Sequence, residues 1–104
     1  MTSAKAVGTM IERHVTFHVN PGAEADFEAL FVERYRPAMS RQPGFVKVEL
    51  LRSIDDPQVV RMVIRFNSAA EAANWRDSAD HAALKPVLQR LYSTIDPEVF
   101  DVVA

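Results

Sequence analysis

The sequence predicts an α+β fold in which one four-stranded antiparallel sheet carries helices on one of its faces. Apolar and polar residues alternate with the period of a strand over 11–20, 45–53 and 59–67. Apolar residues recur with the period of a helix over 23–39 and again over 68–93. A short apolar segment after the last helical region, "PEVFDVV", is expected to form the fourth strand.

The composition narrows the class of protein. The chain has 104 residues, of which 48% are hydrophobic and 25% are charged, its formal net charge is −2, and it contains no cysteine. Disulfides and thiolate chemistry are therefore excluded, and no basic surplus favours nucleic acid or an anionic membrane as a partner. We expect a cytoplasmic protein, with a loose tail over residues 1–9 in place of a signal peptide and a single domain over residues 10–104.

The first strand is expected to have one apolar and one polar face. Arg13 interrupts the apolar face, which otherwise consists of Ile11, Val15, Phe17 and Val19. The opposite face carries Glu12, His14, Thr16, His18 and Asn20. Such alternation is typical of a strand that is buried on one side only. An arginine on the buried side indicates a ligand-binding position, unless the two faces are reversed near the start of the strand.

The first helical region follows the turn at Pro21 and Gly22. Its core-facing residues recur at i, i+3, i+4 and i+8, and they are Phe27, Leu30, Phe31 and Tyr35. Acidic residues cluster near its start and arginines near its end, as the helix dipole favours. Pro37 is expected to close this helix or to kink its last turn.

The second and third strands form a predicted hairpin around a loop that contains Pro57. On the second strand, one face is predicted to carry Val46, Val48 and Leu50. On the third strand, a wholly apolar face is predicted to carry Val60, Met62, Ile64 and Phe66, while Arg61 and Arg65 point the other way.

The second helical region is predicted to be interrupted. Ser68 and Glu71 form a capping box at its start, and one side of the helix that follows carries Ala72, Trp75 and Ala79. Ser78 and Asp80 offer further caps, and Pro86 is tolerated only in the first turn of a helix. We therefore expect a break near residues 79–85 and a helix over about 86–93.

This break matters for the relation between Trp75 and His81. On an unbroken α-helix, six positions turn two side chains about 120° apart. An interruption between them removes that constraint, so both side chains can border one space between the helices and the sheet.

The element order β-α-β-β-α-β is the ferredoxin-like pattern. It leaves a second sheet face that is only half apolar, with Val59, Val63 and Leu51 among His14, His18, Lys47, Glu49, Arg61 and Arg65. A short chain with such a face is expected to pair with a second copy, giving a homodimer joined sheet to sheet. An aspartate at Val63 is expected to weaken that pairing.

Several segments, in this order, resemble the antibiotic biosynthesis monooxygenase family over about residues 10–102. They are "PGAEADFEALFVERYRP", "QPGFVKVELLRS" and "VVRMVIRFNSAAEAANWRDSADHAAL", followed by a short final strand. The resemblance implies a dimeric α+β barrel with a pocket between sheet and helices in each subunit. It also implies a small aromatic substrate and O₂, because members include cofactor-independent monooxygenases of phenolic or quinol-like polyketides.

Other members of the family degrade haem, and here the sequence departs from their pattern. Those proteins have an asparagine on the first strand, at the position that corresponds to Arg13. Their axial histidine follows the tryptophan by about ten positions, where this sequence has Lys85. Trp75 matches and the other two positions do not, so the resemblance favours quinol-type chemistry without a cofactor, with haem as the minority alternative.

Three residues are candidates for catalysis. His81 suits a general base near neutral pH, Arg13 suits the binding of an anion, and Trp75 suits a wall against a flat ring. The alternative for His81 is a surface histidine beside a helix start, and for Trp75 a core residue. The candidates for substrate binding are Phe27, Phe31, Tyr35 and Phe66.

His14 and His18 lack a nearby carboxylate that would complete a metal site, so no metal is expected. Three functions follow: a cofactor-independent quinol or polyketide monooxygenase, a haem-binding or haem-degrading protein, and a non-catalytic ligand-binding dimer.

Overall fold

A computed structural model describes residues 9–104, so the tail predicted over residues 1–9 lies, apart from Thr9, outside the described residues. One antiparallel sheet has the strand order β2-β3-β1-β4, with β1 at Ile11–Val19, β2 at Phe45–Arg52, β3 at Val59–Phe66 and β4 at Tyr92–Asp101. The helices are α1 (Glu24–Leu30), α2 (Arg36–Ser40), α3 (Ala69–Arg76) and α4 (Ala79–Gln89), and a π-helical turn at Phe31–Tyr35 joins α1 to α2. The predicted ferredoxin-like fold is confirmed.

None of the helices within residues 9–104 has the length and hydropathy that a membrane-spanning helix needs.

The core lies between the helices and the apolar face of β1 and β3. Val15 pairs with Met62 and Phe17 with Val60, so the two apolar faces adjoin. Phe27 and Phe31 on the first helical segment are buried against this face, and the Phe17 and Phe27 rings meet edge to face at 5.0 Å. The predicted faces of both strands are confirmed, and Arg13 lies on the helix side of the sheet.

A π-helical turn lies just before Pro37, where the sequence predicted a helix end or a kink. Proline has no N–H, and inside an α-helix its ring clashes with the carbonyl four residues earlier. In this turn the N–H of Arg36 donates to the carbonyl of Phe31, five residues back, which widens the helix just before Pro37. The helix then continues through α2, so the prediction that Pro37 closes it was wrong.

The start of β2 contains a β-bulge. Phe45 pairs with Phe66 and Lys47 with Arg65, so Val46 is an extra residue in the strand. Val46 was predicted to share the core face, but it is exposed, and Phe45 packs against the core instead. Gly44 precedes the bulge at φ +80°, and a Cβ there would lie 2.2 Å from the carboxyl carbon of Glu71, so the turn requires glycine.

The break between α3 and α4 is present but lies earlier than predicted. It falls at Asp77 and Ser78, and α4 begins at Ala79, runs through Pro86 and ends at Gln89. Asp80, predicted as a cap, lies in the first turn, and Ala79 is exposed and not on the apolar side. Pro86 has no N–H to donate to the carbonyl of Ala82, four residues earlier. Both residues are exposed, so the helix tolerates the proline.

The last strand is longer than predicted. The segment "YSTID", which was assigned partly to the helix, forms the first half of β4. Pro97 fits within β4 because this is an edge strand, where a missing N–H need not interrupt a ladder. From Ser93 onward every residue of β4 is exposed.

Candidate active site

A cavity of about 460 Å³ lies between the helix side of the sheet and the two C-terminal helices. The floor comes from alternate residues of β1 and β3, among them Arg13, Val15 and Ile64. The remaining walls come from the π-helical turn, α3, α4 and β4. Its size is within the range of small-molecule sites, roughly 300–1,000 Å³.

Three rings meet in one corner of the cavity. The ring centroids of Trp75 and His81 are 5.2 Å apart and those of Tyr35 and Trp75 are 5.6 Å apart, both nearly perpendicular. The Tyr35 and His81 centroids are 6.3 Å apart. Edge-to-face contacts at these separations are favourable for aromatic rings.

Ser78 produces this convergence. Its hydroxyl donates to the carbonyl of Trp75 at 2.7 Å and accepts from the N–H of His81 at 3.1 Å. One side chain therefore ends α3 and caps α4, and it holds the two ring-bearing residues on either side of the break. Trp75 and His81 thus face one space across the break, as the sequence predicted.

His81 has a lowered pKa. Burial disfavours its charged form, and Lys85, Arg13 and Arg76 lower the pKa further, while Asp77 acts in the opposite direction. The neutral form of the imidazole is therefore favoured, and in that form one ring nitrogen has a lone pair that can accept a proton. The N–H of its own backbone is already bonded to Ser78, so the ring is not the group that caps the helix.

Burial also shifts the pKa values of Arg13 and Tyr35. Desolvation and the charge of Arg76 lower the pKa of Arg13. Desolvation raises the pKa of Tyr35 to about 12, although Arg13 acts to lower it. At neutral pH, Arg13 remains a cation and Tyr35 remains an O–H donor.

The charged lining of the cavity has one sign. Arg13, Arg76 and Lys85 line it, and no aspartate or glutamate of residues 9–104 does. In the same residues, no group of three or more histidine, cysteine, aspartate or glutamate side chains could hold a metal ion. The arrangement is suited to an anion and not to a cation.

The structure brings most of the predicted site residues together. Arg13, Tyr35, Phe66, Trp75 and His81 all line the cavity, whereas Phe27 and Phe31 do not. Phe27 packs against Phe17, and Phe31 lies beneath the guanidinium of Arg36, 5.6 Å from its ring centre. The substrate contacts predicted for these two phenylalanines are therefore not supported.

Several residues that were not predicted from the sequence also line the cavity, namely Arg76, Lys85, Gln89 and Tyr92. A signal for two of them was present, because Lys85 and Gln89 follow His81 at spacings of four and eight on one helix face. Tyr92 was assigned to a helix end and in fact begins β4, where its ring contacts Phe17 at 5.1 Å.

The cavity is least covered on the side of β4. Ile95 and Pro97 line it, yet both are exposed. Val99 pairs with Arg13 and so shares their face, and 56% of its surface is exposed. The helices therefore leave one apolar wall of the cavity open.

Comparison with known proteins agrees with this fold. A candidate antibiotic biosynthesis monooxygenase of Bordetella bronchiseptica is 31% identical, with 92% of this chain and 97% of that chain covered and a TM-score of 0.77. A mutant of SnoaB, a cofactor-independent oxygenase from Streptomyces nogalater, is 25% identical, with 88% and 90% covered and a TM-score of 0.81. A comparison with curated proteins gave no match. The model of the antibiotic biosynthesis monooxygenases matches residues 10–86, most of the chain and nearly all of the elements that build the cavity, so this protein belongs to the antibiotic biosynthesis monooxygenase family.

Proposed function

We propose that the protein is a cofactor-independent monooxygenase that oxidises a phenolic or quinol-type aromatic compound with O₂. The observation that supports this most directly is the combination of a neutral histidine, a half-buried arginine and two flat rings in one cavity without carboxylates. In this reaction the substrate supplies the electrons. One oxygen atom enters the product, and the other leaves as water.

His81 is the proposed base. A phenol becomes reactive toward O₂ once it loses its proton, because the anion is rich in electrons. A neutral imidazole can accept that proton and can return it to the oxygen that leaves as water. The lowered pKa of His81 keeps the base available at and below pH 7, at the cost of some proton affinity.

Arg13 and Tyr35 are the proposed anion partners. Arg13 supplies a half-buried positive charge on β1, and Tyr35 supplies an O–H that stays protonated because its pKa is about 12. Charges and donors that are already in place stabilise a developing anion without reorganisation. Trp75, beside them, offers a face for a flat ring.

The cavity volume limits the size of the substrate. An apolar cavity of about 150 Å³ holds one benzene molecule. The cavity here, at about 460 Å³, is roughly three times as large. We therefore propose a substrate of two or three fused rings.

Oxygen uptake with a panel of hydroquinones, naphthols and anthrones tests the proposed function. We expect uptake without added metal, flavin or haem, and one atom of ¹⁸O from ¹⁸O₂ in the product by mass spectrometry. A chelator is expected to leave the rate unchanged. Binding of panel members without uptake would instead indicate a ligand-binding protein, and a Soret band on titration with haemin would indicate a haem protein.

Arg13→Ala is expected to raise KM by roughly 10-fold or more for substrates that bind as anions, because hydrogen bonds to charged groups contribute about 1.5–3 kcal/mol. An O-methylated analogue cannot ionise and serves as a competitive inhibitor. Its inhibition constant should change much less. Arg61→Ala is the matched control, since Arg61 lies on the opposite face and donates to Thr16 at 3.1 Å. If Arg13→Ala weakened the binding of ionisable and methylated ligands equally, Arg13 would not be the group that binds the anion.

We also propose that the protein is a homodimer joined through the face of the sheet that the helices leave free. Glu12, Arg65 and His14 form a hydrogen-bonded group there, with Glu12 2.7 Å from Arg65 and 2.8 Å from His14, so the prediction that no carboxylate lies near His14 was wrong. The Phe100 ring meets the His14 ring edge to face at 5.1 Å. Paired polar groups beside exposed apolar ones are typical of an interface between subunits.

Phe100→Asp is expected to weaken the proposed dimer at least several-fold, because Phe100 is 46% exposed and a buried carboxylate would lack a partner. Val63, the position suggested by the sequence, is only 6% exposed within one subunit, so an aspartate there would destabilise the subunit itself. Sedimentation velocity over a concentration series measures the effect. Ile54→Asp, in a loop and 99% exposed, is the control. A wild-type monomer of 11.7 kDa at micromolar concentration would contradict the proposal.

A further inference from the structure

The cavity contains more positive charge than one phenolate requires. Arg13 is half-buried on β1, whereas the other two lining cations are exposed. Arg76 is the last residue of α3, and Lys85 follows His81 by one helical turn on α4. The two exposed cations therefore lie on the solvent side of the cavity, on the two helices that meet at Ser78.

These cations have no acidic partner among residues 9–104. Other basic residues of the surface do, as in the pairs Arg41–Asp80 at 3.6 Å and Lys47–Glu49 at 3.7 Å. No ion pair within the described part of the chain involves Arg13, Arg76 or Lys85. Their mutual proximity is unfavourable, and it contributes to the lowered pKa of Arg13 and of His81. An anion at Arg13 alone would leave the two outer cations uncompensated.

We propose, on the basis of the proposed function, that the substrate carries a carboxylate in addition to its reacting hydroxyl, and that Arg76 and Lys85 bind this carboxylate on the solvent side of the cavity. The hydroxyl then lies inward, near His81 and Arg13, and the carboxylate lies outward. A carboxylate is ionised throughout the physiological pH range, so it holds the ring in one orientation before the hydroxyl loses its proton. Gln89, one further turn along α4, lines the same side and adds an uncharged hydrogen-bonding group.

The test uses two probes that differ only in this group: 6-hydroxy-2-naphthoate and 6-hydroxy-2-naphthamide. Both place the hydroxyl and the second substituent at opposite ends of a two-ring system, and both are titrated calorimetrically into the full-length protein at low ionic strength. We expect the naphthoate to bind about 10-fold more tightly than the naphthamide, since bonds to charged groups are the stronger ones. Added salt should reduce this preference, because Arg76 and Lys85 are exposed.

The double variant Arg76→Gln, Lys85→Gln is expected to lose the preference while its affinity for the naphthamide stays within about twofold. Both side chains are exposed, so the variant should fold, which circular dichroism can verify. The matched control is Arg90→Gln. Arg90 is exposed, directly follows α4 and does not line the cavity, so this variant should keep the preference for the naphthoate.

The possible failures are distinguishable. Equal affinity of the wild type for both probes would overturn the carboxylate inference and leave the proposed function standing. A preference that survives in the double variant would overturn the assignment to Arg76 and Lys85. Failure of the wild type to bind either probe would overturn the inference together with the proposed aromatic site.

Discussion

His81→Ala is expected to lower kcat by about 10²-fold or more on any turnover-competent phenol, because a positioned general base contributes at least that factor. The pH profile should change as well. The base is active when neutral, and the neutral fraction rises with pH through the pKa. Since the pKa of His81 is lowered from its ordinary value of 6.5, the rising limb in kcat/KM should lie below pH 6.5 in the wild type and vanish in the variant.

Stability measurements separate a catalytic role of His81 from a structural one. If His81 is the base, thermal denaturation of His81→Ala should show little loss of stability, because Ser78 caps α4 through the backbone N–H and not through the imidazole. Added imidazole should restore part of the rate. His18→Ala, on the opposite sheet face, should keep both the rate and the pH limb. If His81→Ala itself keeps them, the base is another group or the substrate ionises unaided.

Trp75→Ala is expected to lower the free energy of unfolding by roughly 3 kcal/mol, since large-to-small changes at buried aromatic positions cost about 3–5 kcal/mol. The lower end applies because Trp75, although only 3% exposed, borders a cavity on one side. In a domain of this size the melting temperature should fall by roughly 12 °C or more. Substrate affinity should fall too, because a ring wall is removed.

Two variants separate the stability effect from the binding effect. Trp75→Phe retains a ring and should recover most of the stability and part of the affinity. Phe27→Leu alters a buried ring that does not line the cavity, so it should reduce stability without changing KM. A loss of affinity in Phe27→Leu equal to that in Trp75→Ala would show that Trp75 acts only through the core.

The sheet could be predicted because its signals are local and repeated. The apolar faces of β1 and β3 alternate over the whole length of each strand, broken only by Arg13, and Ser68 with Glu71 marks the start of α3 in the sequence itself. The errors lie where tertiary context overrides a local rule. Val46 continues an alternation that the β-bulge interrupts, and Pro86 is harmless only because its helix face is exposed, which no single sequence shows.

The cavity was predictable in part. The break between Trp75 and His81 could be inferred from Ser78, and Arg13 was conspicuous as a charge on an apolar strand face. Arg76 was not, because a charged residue on a helix is usually on a solvated face, and the spacing of Lys85 from His81 was a signal only once His81 was known to face the cavity. Their role depends on where two helices meet, and that is a property of the folded chain.

The π-helical turn has a consequence for how the first helical segment tolerates insertions and deletions. Phe27, Phe31, Tyr35 and Met39 are all buried, although they recur every four residues. On a regular α-helix a four-residue repeat drifts around the axis by about 40° per step, or about 120° over three steps. The wider turn absorbs much of this drift. Loss of one residue there would restore regular winding and rotate everything beyond it by about 100°, turning Met39 out of the core. The length of this segment is therefore as strongly constrained as the identity of its residues.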